Sequence, residues 1–152
     1  MTNEAEKARR EIAVFSEFAQ LAPIRIDLSS VEKRLPPQPD LVCAVEGSGT
    51  VAFELVELCD PNLAQVFANP LRPGIEYVRT SDPSGWIVRN KLRKSYQTDH
   101  AIELLCYTDG RIITPADVII PTIKSYLGSF GHVFRRAWLL CEGEVHVVWG
   151  DA

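Results

Sequence analysis

Hydrophobic and polar residues follow helical and strand-like patterns in turn along this chain. From Asn3 to Leu21, apolar residues recur every three to four positions, which predicts an amphipathic helix that Pro23 ends. A second helix is predicted from about Pro83 to Tyr96. A third is predicted from Thr114 to about Phe130, with a kink or a delayed start at Pro121. Because these helices are interspersed with apolar, β-branched runs, the pattern predicts an α/β protein.

The two runs at the centre of this organisation are Asp40–Val45 and Thr50–Leu58, which the turn residues Glu46 to Gly49 separate. Both are predicted to be strands because they are short, apolar and rich in β-branched residues. Residues 29–34 are expected to form a turn or a brief helical turn. Further strands are predicted at Ile24–Leu28, Ala101–Tyr107, Val133–Cys141 and Val145–Trp149, with a short helix at Leu63–Ala68, a loop at 69–74 and a brief extended piece at Ile75–Arg79.

Length and composition are those of an ordinary globular protein. The chain has 152 residues, of which 46% are hydrophobic and 24% charged, so one domain over residues 1–152 is expected. The net charge of −4 gives no overall attraction to nucleic acid, although a local basic face would be sufficient. No signal segment or membrane-length apolar run is visible, which predicts a cytoplasmic protein without a membrane partner.

Most of the common catalytic and cofactor motifs are missing from the sequence. It contains no G-x-S-x-G, P-loop, H-E-x-x-H or Rossmann glycine pattern. The three histidines lie far apart in different predicted elements, which disfavours a histidine metal cluster. The four cysteines are widely spaced without a C-x-x-C pair, which favours separate reduced thiols over a zinc site.

The residue that does not fit its surroundings is Glu54, an acid in the middle of an apolar strand. A buried carboxylate is costly unless it is paired or holds a metal ion. Period two puts Glu54 on the same face as Ala52 and Val56. Asp40 opens the preceding strand, so the two carboxylates are expected to meet at one place on the sheet. The pair is therefore a candidate site for a divalent metal.

These residues resemble the motif of the PD-(D/E)XK superfamily of restriction-endonuclease-like nucleases. Pro39-Asp40 matches its PD, and Glu54-Leu55-Val56 occupies its (D/E)XK at a separation that the superfamily commonly shows. The departure is Val56, which stands where the family has lysine. The likeness spans roughly Glu11 to Tyr107 and is greatest to uncharacterised bacterial members. It implies a mixed β-sheet flanked by helices.

The resemblance also implies a metal-dependent nuclease that hydrolyses phosphodiester bonds. Its Mg²⁺ or Mn²⁺ would be held by Asp40, Glu54 and the Leu55 carbonyl, and the metal would lower the pKa of a bound water. In such folds the first helix often brings one more acid. Glu11 is the preferred candidate for this acid and Glu17 is the alternative, although a solvated helix carboxylate is the more common role. Glu32, which lies close to Asp40 in the sequence, is a lesser candidate for a metal ligand.

Because Val56 carries no charge, an active site would need its cation from another element. The resemblance implies a lysine relocated to the helix that precedes a central strand, and the predicted helix 83–96 is the most basic stretch of the chain. Lys91 lies beside its apolar stripe and Lys94 one turn later, so both are candidate catalytic residues. Arg89 and Arg93 would then hold the nucleic-acid backbone, with DNA as the expected partner.

A different function also agrees with the sequence. The alternative to an active enzyme is a catalytically inactive, nuclease-like binding or interaction module, which Val56 favours. A third reading is a structural or regulatory protein without a nucleic-acid partner, which the acidic balance favours. A homodimer is compatible with any of these functions.

Overall fold

A computed structural model describes residues 3–68 and 82–151, without the side chains of residues 65–68. The predicted extended piece at Ile75–Arg79 and the loop before it lie outside the described residues. No described helix is long and apolar enough to cross a membrane. The helices are α1 Asn3–Leu21, α2 Pro61–Ala68, α3 Ser84–Leu92 and α4 Ala116–Ser129; the strands are β1 Ile26–Lys33, β2 Leu41–Val45, β3 Gly49–Glu57, β4 Ala101–Tyr107, β5 Phe134–Cys141 and β6 Glu144–Trp149.

The described strands form one six-stranded mixed sheet in the order β1-β2-β3-β4-β5-β6. The β1–β2, β2–β3 and β5–β6 pairs are antiparallel. The β3–β4 and β4–β5 pairs are parallel, and α3 and α4 lie in the connections between these strands. The predicted α/β class, with a mixed sheet and flanking helices, is confirmed.

Helices cover both faces of the sheet, and each face has its own apolar core. On one face, Phe15 and Phe18 of α1 pack edge-on against Phe53, and Phe18 also packs against Trp138. On the other face, α3 and α4 bury a second apolar cluster against the side chains that alternate with Phe53 along β3. The helical residues in that cluster are Val88, Leu92, Ile119, Ile123 and Leu127.

The first strand is longer than the alternating pattern predicted. β1 runs to Lys33, so the predicted turn at residues 29–34 is wrong. Its pairing with β2 shifts between Asp27 and Glu32, which marks a bulge. There, Asp27 accepts hydrogen bonds from the backbone N–H and the hydroxyl of Ser29. Such local side-chain bonds are typical of turns, which is why the segment looked like one in the sequence.

Helix α3 is shorter than predicted, because it ends at Leu92 rather than near Tyr96. The chain then continues without regular structure toward β4, and the N–H of Gln97 donates a 3.0 Å hydrogen bond to the Pro37 carbonyl. Lys94 therefore lies beyond the helix, and its position cannot be derived from a helical angle. Helix α4 begins at Ala116, so the delayed start that Pro121 suggested is wrong.

The four cysteines Cys43, Cys59, Cys106 and Cys141 are free thiols, as the spacing predicted. Burial raises the pKa of Cys43 to about 12, with a further contribution from Glu103. Burial likewise raises the pKa of Cys106 to about 12, against the opposing charge of Lys91. Because the thiolate is the reactive form, these two thiols are expected to be inert.

Candidate active site

The two carboxylates of the motif are held against each other by the pairing of β2 and β3. Asp40 directly precedes β2, and Leu41 pairs with Phe53, so Asp40 stands opposite Glu54. The backbone N–H of Asp40 donates to Glu54 Oε1 over 3.1 Å. In return, the N–H of Leu55 donates to Asp40 Oδ2 over 2.8 Å. Each carboxylate is thus oriented by the backbone of the neighbouring strand.

Both carboxylates line one cleft of about 160 Å³, which lies where the chain enters β2 beside β3. The walls come from α1, from the proline-rich approach to β2 and from the segment that follows α3. The sequence indicated Asp40, Glu54, Lys91 and Lys94 from three separate stretches of the chain, and the fold brings all four residues to this cleft. The remaining lining residues are Lys7, Pro36, Pro37, Gln38, Ser95 and Tyr96.

Two groups from the α3 side bind Glu54. The Lys91 ammonium lies 3.0 Å from Glu54 Oε2, and the Tyr96 hydroxyl donates to the same oxygen over 3.1 Å. The side chain of Glu54 is 6% exposed and that of Lys91 is 19% exposed. The ammonium is therefore mostly buried, and its charge acts more strongly there than in bulk water.

Burial and crowding of charge shift the proton affinities in the cleft. Burial raises the pKa of Glu54, and the neighbouring charge of Asp40 raises it further, against the lowering effect of Lys91. Burial alone would lower the pKa of Lys91, but the charge and hydrogen bond of Glu54 outweigh it, so the pKa is raised. Lys94 differs, because the Lys91 charge and then burial lower its pKa. The two lysines are thus tuned in opposite directions.

Three of the residues predicted to bind metal or nucleic acid are not brought to the cleft. Glu11 is buried, but its carboxylate pairs with Lys33 at 2.8 Å, so it does not join Asp40 and Glu54. Arg89 lies over the ring of Phe130, 4.9 Å from its centroid, on the side of α4. Arg93 is exposed at the end of α3 and does not line the cleft.

The alternative acids are also engaged elsewhere or exposed. Glu17 is exposed on α1, and Glu32 pairs with Arg34 at 2.8 Å. Among the described residues, no group of three or more His, Cys, Asp or Glu side chains is arranged to hold a metal. A metal at Asp40 and Glu54 would therefore rest on two carboxylates.

Two carboxylates are a donor set that fits Mg²⁺, which usually keeps several waters and takes one or two carboxylates plus substrate phosphate. The mutual repulsion that helps to raise the pKa of Glu54 would also be relieved by a cation. The Leu55 carbonyl can contribute as well. The N–H of Leu55 is directed to Asp40, and the N–H and C=O of one strand residue point to the same side.

Sequence reasoning missed two residues of the cleft. Tyr96 was predicted only as the end of the helix, although a tyrosine that packs among apolar residues needs a partner for its hydroxyl. That need is the signal that points to a polar neighbour. Lys7 gave no signal, because it is one of several charged residues on the polar side of α1. Its place in the cleft depends only on how α1 packs on the sheet.

Comparisons of the chain with protein-family models, with curated proteins and with solved structures give no significant match. The membership in the PD-(D/E)XK superfamily that the motif suggested stays a prediction.

Proposed function

We propose that the chain is a metal-dependent nuclease of the restriction-endonuclease-like type, which hydrolyses phosphodiester bonds of nucleic acid, with DNA as the expected substrate. The observation that carries the proposal is the meeting of Asp40, Glu54 and Lys91 in one cleft, although Lys91 comes from a helix rather than from the motif. Hydrolysis of a phosphodiester needs charge stabilisation and a positioned water. An acid pair with a lysine beside it supplies groups for both.

Asp40 and Glu54, with the Leu55 carbonyl, would hold one Mg²⁺ or Mn²⁺. When bound, the metal would activate a water and stabilise negative charge on the phosphate. The chain's own part is to fix these oxygens, which the backbone hydrogen bonds between β2 and β3 do. Preorganised groups of this kind need no reorganisation during the reaction.

The two lysines of the cleft are suited to different tasks. Lys91 stays charged because its pKa is raised, so it acts as a fixed positive charge beside the reacting phosphate. The pKa of Lys94 is lowered by Lys91 and by burial, which makes Lys94 the better group for moving a proton. Lys7, on the α1 wall, adds a third positive charge that attracts a phosphate to the cleft.

The alternative, an inactive nuclease-like binding module, is favoured by one specific contact. Glu54 Oε2 already accepts hydrogen bonds from both Lys91 and Tyr96. A buried acid that is satisfied in this way also serves as an ordinary structural ion pair. The two functions differ in whether that oxygen exchanges its partners for a metal ion.

Cleavage assays test the proposal directly. Purified protein is incubated with plasmid DNA, single-stranded DNA and RNA in Mg²⁺, in Mn²⁺ and in EDTA. We expect metal-dependent cleavage that Glu54→Gln and Asp40→Asn abolish. The control is Glu46→Gln, an exposed acid in the β2–β3 turn, which should cleave like the wild type. Absence of cleavage of all three substrates would favour the binding module.

Titration calorimetry with Mn²⁺ tests the metal site independently of turnover. Weak binding is expected, because two carboxylates make a site of modest affinity for hard cations. Glu54→Gln should abolish it, whereas Glu46→Gln should leave it unchanged. Equal binding by both variants would place the metal elsewhere.

A further inference from the structure

A second and larger cavity lies directly beside the cleft. Its volume is about 380 Å³, against about 160 Å³ for the cleft. We call it the side pocket. It lies between the approach to β2 and the segment that leads into β4, and its lining includes Arg34, Gln38, Val42, Gln97, Asp99 and His100.

The side pocket and the cleft share one continuous wall. Gln38 lines both cavities. On the opposite side, Tyr96 lines the cleft and the next residue, Gln97, lines the side pocket. The 3.0 Å hydrogen bond from the Gln97 N–H to the Pro37 carbonyl ties the two sides together. A ligand that spans the two cavities therefore contacts Gln38.

The two cavities differ in charge, so they suit different parts of a ligand. The cleft carries three lysines against two carboxylates, so it suits a phosphate, above all with a metal present. In the side pocket, the charge of Arg34 is offset by its ion pair with Glu32 and by the carboxylate of Asp99. A nearly balanced, polar cavity suits an uncharged group with several hydrogen-bonding atoms.

The size and the side chains of the side pocket fit a nucleoside. Its volume lies in the range of about 300–1,000 Å³ that is typical of small-molecule sites, whereas that of the cleft is below it. The amides of Gln38 and Gln97 each offer donors and an acceptor, as a base edge requires. The imidazole of His100 and the guanidinium of Arg34 are planar groups on which bases stack.

We propose that the side pocket binds the base and sugar of one unpaired nucleotide, next to the phosphate that the cleft holds. The inference rests on the proposed function for the position of that phosphate, and it adds the substrate class. A base in a continuous duplex is stacked, and its Watson–Crick edge is occupied, so only an unpaired or extruded base enters such a pocket. The preferred substrate is therefore single-stranded or locally unpaired nucleic acid.

Binding of mononucleotides tests the inference without catalysis. The four deoxynucleoside 5′-monophosphates and base-free deoxyribose 5-phosphate are titrated against the protein in EDTA, with amide chemical shifts as the readout. We expect the nucleotides to bind more tightly than deoxyribose 5-phosphate and to shift the amides of residues 97–100 and of Val42. Equal affinity for the base-free compound, or shifts confined to other parts of the chain, would overturn the inference.

A matched pair of variants localises the effect. Gln97→Ala removes an exposed amide but keeps the backbone bond to Pro37, and it should weaken nucleotide binding about three- to tenfold, the effect of losing one or two hydrogen bonds. Gln20→Ala removes an exposed amide from α1 and should have no effect. His100→Ala should weaken binding of the nucleotides but not of deoxyribose 5-phosphate. Unchanged nucleotide affinity in both pocket variants would contradict the inference.

Activity assays separate this inference from the proposed function. Cleavage in Mn²⁺ is compared for a single-stranded oligonucleotide, a hairpin duplex of the same composition and the base-free diester bis(p-nitrophenyl) phosphate. Faster cleavage of the single strand, reduced by Gln97→Ala with the base-free diester unaffected, supports both. Nucleotide binding without hydrolysis of any substrate would support the side pocket as a nucleotide-binding site and contradict the proposed nuclease activity. Hydrolysis without nucleotide binding and without a preference for single strands would support the nuclease activity and contradict the nucleotide-binding role of the side pocket.

Discussion

Two buried glutamates on neighbouring strands have similar sequence settings and opposite surroundings. Glu54 follows Phe53 in β3 and Glu103 follows Ile102 in β4, and each is followed by leucine. The parallel register pairs Phe53 with Glu103, so the two acids point to opposite faces of the sheet. Glu54 faces the α3–α4 side, and Glu103 faces the α1 side.

Glu103 lies in a closed, fully compensated site. Its residue exposure is 0%, and its Oε2 accepts from Arg135 at 2.5 Å and from Arg136 at 3.2 Å. The other oxygen, Oε1, accepts from the Trp138 indole over 2.7 Å. Two cations thus surround one acid, and the guanidinium of Arg136 also lies over the Trp138 ring. This arrangement joins β4 to β5 and is structural.

Glu54 differs in its neighbours rather than in its burial. A second carboxylate lies beside it, and the shared cleft opens to solvent. Like charges at close range destabilise the resting protein and are typical of functional sites. Burial of an acid alone therefore does not indicate function, whereas a like-charged neighbour and access for a ligand do.

The largest effect is expected from removing the structural acid. Glu103→Ala leaves Arg136 buried without its counter-ion, and breaking such a pair costs about 3–5 kcal/mol. Guanidinium denaturation should show this loss in the free energy of unfolding. The control is Glu144→Ala, whose side chain is 75% exposed and which should change stability by less than about 0.5 kcal/mol. A loss below about 1 kcal/mol for Glu103→Ala would mean that the arginines find other partners.

The next largest effect concerns activity at the other acid. Lys91→Ala should lower kcat of metal-dependent cleavage by about 30- to 1,000-fold, which corresponds to about 2–4 kcal/mol of transition-state stabilisation. Fold and Mn²⁺ binding should be retained, as judged by circular dichroism and calorimetry. Lys124→Ala, an exposed lysine on α4, is the matched control. If Lys91→Ala cleaved like Lys124→Ala, the lysine would be structural, as Arg136 is.

Substitution of Asp40 is expected to change stability less than substitution of Glu103. Asp40→Asn keeps an oxygen that can accept from the Leu55 N–H, and it removes the charge that repels Glu54. We expect the free energy of unfolding to stay within about 1 kcal/mol of the wild type, while Mn²⁺ binding is lost. Calorimetry and denaturation of the same preparation measure both. A large loss of stability would assign Asp40 a structural role.

The smallest effect is the pH dependence of stability. Burial and the charge of Asp40 raise the pKa of Glu54 above its ordinary value of 4.5. Between pH 4.5 and this raised pKa, the folded chain therefore binds more protons than the unfolded chain. By linkage, the contribution of Glu54 to stability is greatest at low pH and falls as pH rises through the raised pKa. In metal-free denaturation, the free energy of unfolding of the wild type minus that of Glu54→Gln should therefore decrease from pH 4.5 upward. A difference independent of pH would contradict the raised pKa.

Much of the local structure could be predicted because short-range rules decide it. The α1 pattern and the apolar runs of β2 to β6 identified their elements, since periodic burial is visible in the order of residues itself. The same period assigned Ala52, Glu54 and Val56 to one face of β3, and Ala52 and Val56 do lie in one core cluster. The meeting of Asp40 and Glu54 followed from two consecutive strands joined by a tight turn.

The errors fall where tertiary contacts override the local pattern. Glu11 was proposed as a metal ligand because it precedes an apolar stripe, but the packing of α1 on the sheet gives it Lys33 as partner. Glu103 was passed over, although it too is an acid in an apolar strand. Arg135 and Arg136, which neutralise it, lie more than thirty residues away. No local rule connects residues at that separation.

The sequence by itself therefore determined the elements, the faces of the central strand and the acid pair, because each depends on residues that are near in the chain. Only the tertiary structure decided which cation completes the cleft. Lys91 reaches Glu54 across 37 positions because α3 packs on the Glu54 face of the sheet. Lys94 and Tyr96 line the cleft because the helix ends at Leu92 and the chain continues toward the approach to β2. Side chains from separate elements meet only when those elements pack, and packing depends on the whole core.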